Sequence, residues 1–142
     1  MTVRAILDSK GRNVTTVEPG AKVSAAIKLL AERRIGALLV MTGGRLEGIL
    51  SERDIVRTLA ANGPAILDQP VSAAMTSKVI TCGSKDTVAA LMEKMTEGKF
   101  RHLPVIEENQ VIGIISIGDV VKRRVMEYEL EQEAMRDYIK TA

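Results

Sequence analysis

The residues of this chain whose types and spacing could most clearly do chemistry are a serine and an aspartate three residues apart, a pair that occurs twice. The pairs are Ser51 with Asp54 and Ser116 with Asp119, and each stands where an apolar strand runs into a helix. A serine hydroxyl and the free N–H groups of a first helical turn can hold a phosphate. An aspartate can accept hydrogen bonds from two neighbouring ribose hydroxyls. The pattern therefore indicates a nucleotide site.

The same spacing has a structural alternative. A serine at the N-cap of a helix satisfies a free backbone N–H, and an acidic residue in the first turn interacts favourably with the helix dipole. From a single copy, capping explains the residues without any ligand. Both interpretations stay open at the level of sequence.

Both pairs lie at the end of an internal repeat. A shift of 65 residues aligns residues 14–57 with residues 79–122 without a gap, and the polar matches are concentrated at the end of each copy. Each copy predicts the order strand, helix, strand, strand, helix. The first strands are expected at residues 14–17 and 79–82, and the hairpins at Gly43-Gly44 and Glu108-Asn109. Ser84 and Asp86 are the N-cap candidates for the second copy's first helix.

We therefore predict an α/β (α+β) fold of two pseudo-symmetric β-α-β-β-α repeats packed sheet to sheet. The expected division is residues 1–66 for the first repeat with its N-terminal segment, 67–125 for the second repeat, and 126–142 for a helical extension. From Val121 to Ile139 there is no Gly or Pro, and apolar residues recur at alternating spacings of four and three. This pattern predicts one long helix, which either packs on its own domain or pairs with another helix.

Composition excludes several classes of protein. The chain has 142 residues with a formal net charge of +2, 2% aromatic residues, one cysteine and one histidine. A zinc site and an intramolecular disulfide are therefore not expected, and the aromatic platforms of a single-strand binder are missing. The N-terminus does not resemble a signal peptide and no apolar run could span a membrane, so we expect a cytoplasmic protein.

Four segments in order carry a resemblance to a known family. They are residues 34–40 (RIGALLV), 48–56 (GILSERDIV), 99–105 (KFRHLPV) and 113–121 (GIISIGDVV). The doubled unit resembles a tandem pair of cystathionine β-synthase (CBS) domains, or Bateman module, over about residues 1–125. The resemblance implies a regulatory module that holds an adenosyl ligand such as AMP, ADP, ATP, S-adenosylmethionine or NAD.

The resemblance also implies a role for each matching position. The aspartates would bind ribose and the serines would lie near phosphate, and the first-strand residues Thr16 and Thr81 would lie beside the adenine. Basic residues before a Leu-Pro pair would contact phosphate. The second copy has Arg101 and His102 there, so unequal sites are expected. The full set of expected ligand-binding residues is Thr16, Gly36, Ala37, Ser51, Arg53, Asp54, Thr81, Lys99, Arg101, His102, Pro104, Ser116 and Asp119.

The predicted function is an adenine-nucleotide sensor, with AMP or NAD(H) as the regulatory ligand. We expect a homodimer, held by the paired modules and the C-terminal helix, that signals to an effector protein. No catalytic constellation is found, because a nucleophile elbow and a phosphate-binding loop are both missing, so no enzyme activity and no catalytic cofactor are expected. The alternatives are an interaction scaffold with empty clefts and, less favoured, a DNA-binding protein using Arg33, Arg34, Lys122, Arg123 and Arg124.

Overall fold

The computed structural model describes residues 1–141, which divide into two compact units. The repeat-1 unit comprises Asn13–Ile80 with Glu108–Ile112, and the repeat-2 unit comprises Met1–Arg12, Thr81–Glu107 and Gly113–Ala142. The mixed α/β class is confirmed. The N-terminal segment, grouped with the first repeat in the sequence-based division, clusters with the second.

The elements follow the repeated order along the chain. They are α1 (Val3–Lys10), β1 (Thr16–Val17), α2 (Val23–Arg33), β2 (Ala37–Thr42), β3 (Arg45–Ser51), α3 (Glu52–Asn62), two 3-10 turns (Gly63–Asp68 and Val71–Ala73), α4 (Val88–Gly98), β4 (His102–Glu107), β5 (Gln110–Ser116) and α5 (Ile117–Thr141). Each strand-to-helix junction that carries a serine–aspartate pair is present.

The repeat-1 unit is built on a three-stranded sheet of order β1-β2-β3. β1 pairs with β2 in parallel and β2 pairs with β3 in antiparallel. The connection between β2 and β3 is the expected two-residue turn, because Gly43 and Gly44 both have positive φ, +54° and +82°. Apolar residues of α2, of the strands and of the segment after α3 form one core, which contains Val23, Ala26, Leu30, Leu38, Val40, Leu50, Ile66, Val71 and Ala74.

The second repeat has the hairpin of β4 and β5, but its expected first strand is missing. In repeat 1 the N–H of Leu39 donates to Thr15 O at 3.0 Å. The equivalent residue in repeat 2 is Pro104, which has no N–H to donate. Only one residue, Cys82, makes a parallel bridge, to Val105. The prediction of a strand at residues 79–82 is therefore wrong, and the proline explains why.

The predicted N-cap of α4 is also wrong. Thr87 occupies that position, and its side chain accepts a hydrogen bond from the N–H of Ala90 at 3.1 Å. Ser84 is buried and donates to Glu107. Asp86 accepts from the N–H of Gly83 at 2.9 Å, so it closes the preceding turn instead. The long C-terminal helix is confirmed, since α5 runs for 25 residues.

Among residues 1–141, no helix combines the length and the apolar character that a membrane crossing would require.

Two equivalent glycines are needed where the chain packs against the last strand of each repeat. A Cβ added at Gly48 would lie 2.8 Å from the carbonyl oxygen of Thr76 and 2.6 Å from the sulfur of Met75. A Cβ at Gly113 would lie 2.6 Å from a methyl group of Leu7. At both positions the missing side chain leaves room for a neighbouring segment of the protein.

We expect Gly48→Ala to lower the free energy of unfolding by about 1–3 kcal/mol, because the new methyl group meets backbone that cannot easily move. Gly113→Ala should cost less, since the Leu7 side chain can shift. Gly20→Ala is the matched control, because nothing lies within 4 Å of its Cβ position. Urea unfolding of the three variants measures the order. Equal stability of Gly48→Ala and Gly20→Ala would contradict the packing argument.

Candidate functional site

The first serine–aspartate pair forms a reciprocal cap at the start of α3. The N–H of Asp54 donates to Ser51 Oγ at 3.3 Å, and the N–H of Ser51 donates to Asp54 Oδ2 at 2.9 Å. Ser51 Oγ also donates to Asp54 Oδ2 at 3.1 Å. The capping interpretation of this pair is confirmed.

The carboxylate of Asp54 has further partners that occupy its second oxygen. Arg57 donates to Oδ1 at 2.7 Å, and the hydroxyl of Thr76 donates to the same atom at 2.9 Å. The side chain of Asp54 is 9% exposed. Both carboxylate oxygens of Asp54 are therefore engaged within the repeat-1 unit, and a ribose could bind only by displacing Arg57 or Thr76.

The second pair repeats the cap but leaves one oxygen open. The N–H and hydroxyl of Ser116 both donate to Asp119 Oδ2 at 2.9 Å, and the N–H of Asp119 donates to Ser116 Oγ at 3.2 Å. Lys10 of α1 donates to the same Oδ2 at 2.7 Å and to Ile114 O at 2.9 Å. Within the described part of the chain, no hydrogen bond reaches Oδ1 of Asp119, and its side chain is 24% exposed.

The environment of Asp119 keeps its carboxylate charged. Partial burial raises the pKa of Asp119, but hydrogen bonds from Lys10 and Ser116, together with the positive charge of Lys10, more than offset burial and hold that pKa below 3.8. Near neutral pH, Asp119 therefore presents an ionised oxygen that can accept hydrogen bonds.

The residues expected beside phosphate differ between the repeats in charge. The N–H of Glu52 donates to Gly36 O at 3.0 Å, and the N–H of Ile117 donates to Arg101 O at 2.7 Å. This repeated bond fixes the 36/101 position against the start of the following helix. Repeat 1 therefore has a carboxylate, Glu52, beside a glycine, whereas repeat 2 has Arg101 beside an isoleucine.

The remaining expected ligand-binding residues lie on strands or helices of the two repeats, or next to them. Ala37 is buried and pairs with Ser51 across β2 and β3, and Thr16 is exposed on β1. Thr81 precedes the Cys82 bridge, and its carbonyl accepts from Lys94 at 3.4 Å. The others are placed as follows: Arg53 exposed in the first turn of α3, Lys99 at the C-cap of α4, and His102 and the buried Pro104 on β4.

A groove of about 480 Å³ lies between α2 and α3 of the repeat-1 unit. Gly36 and two charged residues, Arg34 and Glu52, belong to its lining, which is otherwise apolar. The lining residues are Ile27, Leu30, Ala31, Arg34, Ile35, Gly36, Glu52, Ile55 and Val56. No group of three metal-ligating side chains occurs within residues 1–141.

Lys10, Arg57 and Thr76 were missed by the sequence reasoning, although one signal for Lys10 and Thr76 was present. Residues 3–10 (VRAILDSK) and 71–78 (VSAAMTSK) match at four of eight positions under a shift of 68, not 65. The structure bears out this second register. The N–H of Val3 donates to Asp86 O at 2.9 Å, and the N–H of Val71 donates to Ala21 O at 2.7 Å. The N-terminal segment and residues 71–78 thus complete the two repeats in the same way.

The comparisons with known proteins identify the family. The CBS domain model matches twice, at residues 3–61 and 71–125. The chain belongs to the CBS-domain family. It is 33% identical over 150 residues to the mitochondrial CBS domain-containing protein CBSX3 of Arabidopsis thaliana, covering 97% of this chain and 71% of that protein. The tandem CBS pair expected from the resemblance is confirmed.

Solved structures of CBS proteins share this fold. A CBS-domain containing protein from Agrobacterium tumefaciens, ATU1752, is 47% identical with a TM-score of 0.85, covering 87% of this chain and 99% of its own. The CBS domain protein PAE2072 from Pyrobaculum aerophilum was solved in complex with AMP. It is 27% identical with a TM-score of 0.78, and the match covers 93% of this chain and 99% of that one.

We expect Lys10→Met to lower the free energy of unfolding at neutral pH by about 0.2–1 kcal/mol, because the Lys10–Asp119 pair is partly exposed. Because the pKa of Asp119 is lower in the folded protein than in the unfolded chain, its ionised carboxylate stabilises the fold at pH values above the unfolded pKa of about 3.9. That contribution disappears as pH falls through the folded-state pKa of Asp119. The difference between wild type and Lys10→Met should therefore shrink below about pH 4.

Urea unfolding at several pH values measures this difference, and carboxyl NMR titration reports the pKa of Asp119 directly. Lys28→Met is the matched control, because it makes the same substitution at an exposed lysine that has no ion pair within residues 1–141. A difference that stays constant down to pH 2 would show that Lys10 acts by packing and not through the Asp119 carboxylate.

Proposed function

We propose that this CBS pair is a non-catalytic sensor of an adenosyl ligand, with AMP as the first candidate and NAD(H), ATP or ADP as further ones. The ligand binds at the repeat-2 edge, where Asp119 accepts hydrogen bonds from the ribose and Ser116 and Arg101 lie on the phosphate side. The sensor acts in the cytoplasm as a homodimer and signals to an effector protein through a ligand-dependent conformational change.

The observation that carries this proposal is the open oxygen of Asp119. The two aspartates are equivalent by sequence, yet Asp54 has both carboxylate oxygens engaged, whereas among residues 1–141 the hydrogen bonds to the Asp119 carboxylate are all at Oδ2. A ribose with two neighbouring hydroxyls needs an accessible ionised carboxylate. Asp119 meets that requirement without rearrangement of its cap.

The charges beside the two caps favour the same choice. A phosphate at repeat 1 would lie near the carboxylate of Glu52, which opposes an anion. At repeat 2 the equivalent edge carries Arg101, whose planar guanidinium suits bidentate contact with phosphate oxygens. The AMP complex of PAE2072 supports AMP as the first ligand to test here.

Lys10 offers a route from ligand binding to conformational change. Its ammonium group lies on Asp119 and on the end of β5, and Lys10 is the last residue of α1. A ribose bound at Asp119 competes with Lys10 for the same carboxylate. Occupancy of the site therefore changes how firmly the end of α1 is held against the repeat-2 unit, and that change is the proposed signal.

We expect Asp119→Asn to weaken AMP binding about ten- to hundredfold, because a charge-assisted hydrogen bond contributes roughly 1.5–3 kcal/mol. Calorimetric titration of nucleotide-free protein measures it, with adenosine, NAD and S-adenosylmethionine as further ligands. Asp54→Asn should leave AMP affinity within about threefold, since Asp54 is engaged in its own cap. Asp8→Asn is the exposed control.

Three outcomes would contradict this proposal. No adenosyl compound binds at millimolar concentration, or Asp119→Asn binds AMP like the wild type, or Asp54→Asn alone abolishes binding. Lys10→Met separates the two roles of the carboxylate, because it removes the competing ammonium but keeps Asp119. It should bind AMP at least as tightly as wild type if Lys10 competes with the ribose.

We expect Arg101→Gln to weaken AMP binding by about tenfold or more while leaving adenosine binding nearly unchanged, because only AMP carries the phosphate that the guanidinium contacts. Titrating both ligands into both proteins gives the comparison. Arg33→Gln is the matched control on an exposed helix end. Equal losses for AMP and adenosine would mean that Arg101 shapes the site and does not bind phosphate.

A further inference from the structure

The last part of α5 is exposed on all sides within the described part of the chain. Every described residue from Tyr128 to Thr141 is exposed. At a rise of 1.5 Å per residue, this free segment is about 21 Å long. A helix of that length is only marginally stable in water by itself. A helical extension of this kind is stabilised when another surface covers its apolar side.

The apolar side of α5 is a narrow stripe. Six residues recur at spacings of four and three, and at 100° per residue they fall within an arc of about 80°. The apolar members are between 45% and 67% exposed. The stripe consists of Val121, Val125, Tyr128, Gln132, Met135 and Ile139. This width and spacing are those of a two-stranded coiled-coil seam, which is narrower than the apolar face of a helix packed on a globular core.

The charges beside the stripe determine what kind of helix fits it. Arg124 and Glu131 flank one side, and Glu129 and Arg136 flank the other. In a parallel pair of identical helices, each residue on the side of Arg124 and Glu131 faces the residue five positions further along the other helix. Arg124 then meets Glu129 of the second copy, and Glu131 meets Arg136 of the second copy. Both contacts join opposite charges, and symmetry forms each of them twice.

An antiparallel pair fits these charges less well. With Tyr128 opposite Ile139 of the second copy, equivalent flanks meet. Glu129 then faces Arg136, but Glu131 faces Tyr138, which carries no charge, so fewer of the flanking charges meet an opposite charge than in the parallel pair. Within residues 1–141, neither Glu131 nor Arg136 has an ion-pair or hydrogen-bond partner in its own chain. Both side chains are therefore available for the parallel contact.

We propose that the segment 124–141 of α5 pairs in parallel and in register with the same segment of a second copy of this chain. Gln132 then lies beside its own counterpart at the centre of the seam, where a pair of amides can hydrogen-bond and fix the register, as single polar core residues do in coiled coils. The pairing gives a geometry to the homodimer of the proposed function, and it does not depend on a bound ligand.

Site-directed cross-linking in the full-length protein tests both pairing and direction. Tyr128→Cys and Ile139→Cys each place one thiol on the seam, and Asp137→Cys places one on the opposite side of the helix. The native Cys82 is buried, and burial with the nearby charge of Asp86 raises its pKa to about 12, so it is unreactive near neutral pH. A bis-maleimide with a short ethane spacer joins only thiols that lie close together.

Parallel pairing predicts that Tyr128→Cys and Ile139→Cys each cross-link to themselves at least about tenfold faster than Asp137→Cys, because pairing raises the effective thiol concentration to the millimolar range. In a co-expressed mixture of Tyr128→Cys and Ile139→Cys, residues 128 and 139 are about 16 Å apart along parallel helices. The mixed product should then be scarce. A dominant mixed product would establish the antiparallel arrangement and overturn the proposal.

Charge reversal adds an independent check that leaves the seam intact. In the Tyr128→Cys background, Glu131→Arg and Arg136→Glu should each slow cross-linking severalfold, and the double reversal should restore it. If the double reversal is as slow as the single ones, the Glu131–Arg136 contact does not exist and the proposed register is wrong. Cross-linking of all three cysteine variants at the same rate would exclude pairing altogether.

These measurements are made without nucleotide and are compared with calorimetry on the same variants. Failure of cross-linking with AMP affinity intact overturns only the helix pairing. Loss of AMP binding in Asp119→Asn with cross-linking intact supports both proposals separately. Wild-type AMP affinity in Asp119→Asn overturns the ligand site and leaves the pairing standing.

Discussion

The local structure at each strand-to-helix junction depends on one constraint, which is that an aspartate carboxylate has only two oxygens. In both repeats one of those oxygens accepts the N–H and the hydroxyl of the preceding serine. This cap satisfies a backbone N–H that a helix start would otherwise leave without a partner, and such caps contribute roughly 1 kcal/mol. The second oxygen takes no part in the cap, so its surroundings determine how the two junctions differ.

The two repeats use that second oxygen differently because different segments lie beside it. In repeat 1, Thr76 pairs with Ile49 through two backbone hydrogen bonds, which brings its hydroxyl to Asp54. In repeat 2, the residue in the corresponding register is Asp8, which turns instead to Arg12 at 2.8 Å. The flexible ammonium of Lys10 approaches Asp119 from the same helix and shares the oxygen that already serves the cap. Thr76 therefore engages the second oxygen of Asp54, whereas Lys10 does not engage the second oxygen of Asp119.

Much of the fold was predictable because its determinants are local or repeated. The Gly43-Gly44 turn follows from backbone preference, and the helices follow from apolar periodicity. The prediction of a strand at residues 79–82 was wrong because that strand needs a hydrogen-bond donor that Pro104 lacks. Pro104 lies in a partner strand more than twenty residues further along the chain. The prediction of the α4 N-cap was wrong because Thr87, Ser84 and Asp86 have similar capping preferences, and Thr87 occupies the position. Within the site, the serine–aspartate pairs could be predicted, but their partners could not be found at the 65-residue shift.

The partners of the two aspartates lie on segments that belong to the repeats at a different sequence shift. Residues 71–78 follow the first repeat in sequence, whereas their counterparts at 3–10 stand far from the second repeat and close to the first. A single shift cannot align both the strand-helix units and these segments, because the connecting lengths differ by three residues. Since α1 is bound to the repeat-2 unit through Lys10 and through the Val3–Asp86 backbone bond, the segment that follows it must leave that unit to begin repeat 1. Asp119 is therefore bound, through Lys10, to the end of the helix that precedes the covalent connection to repeat 1.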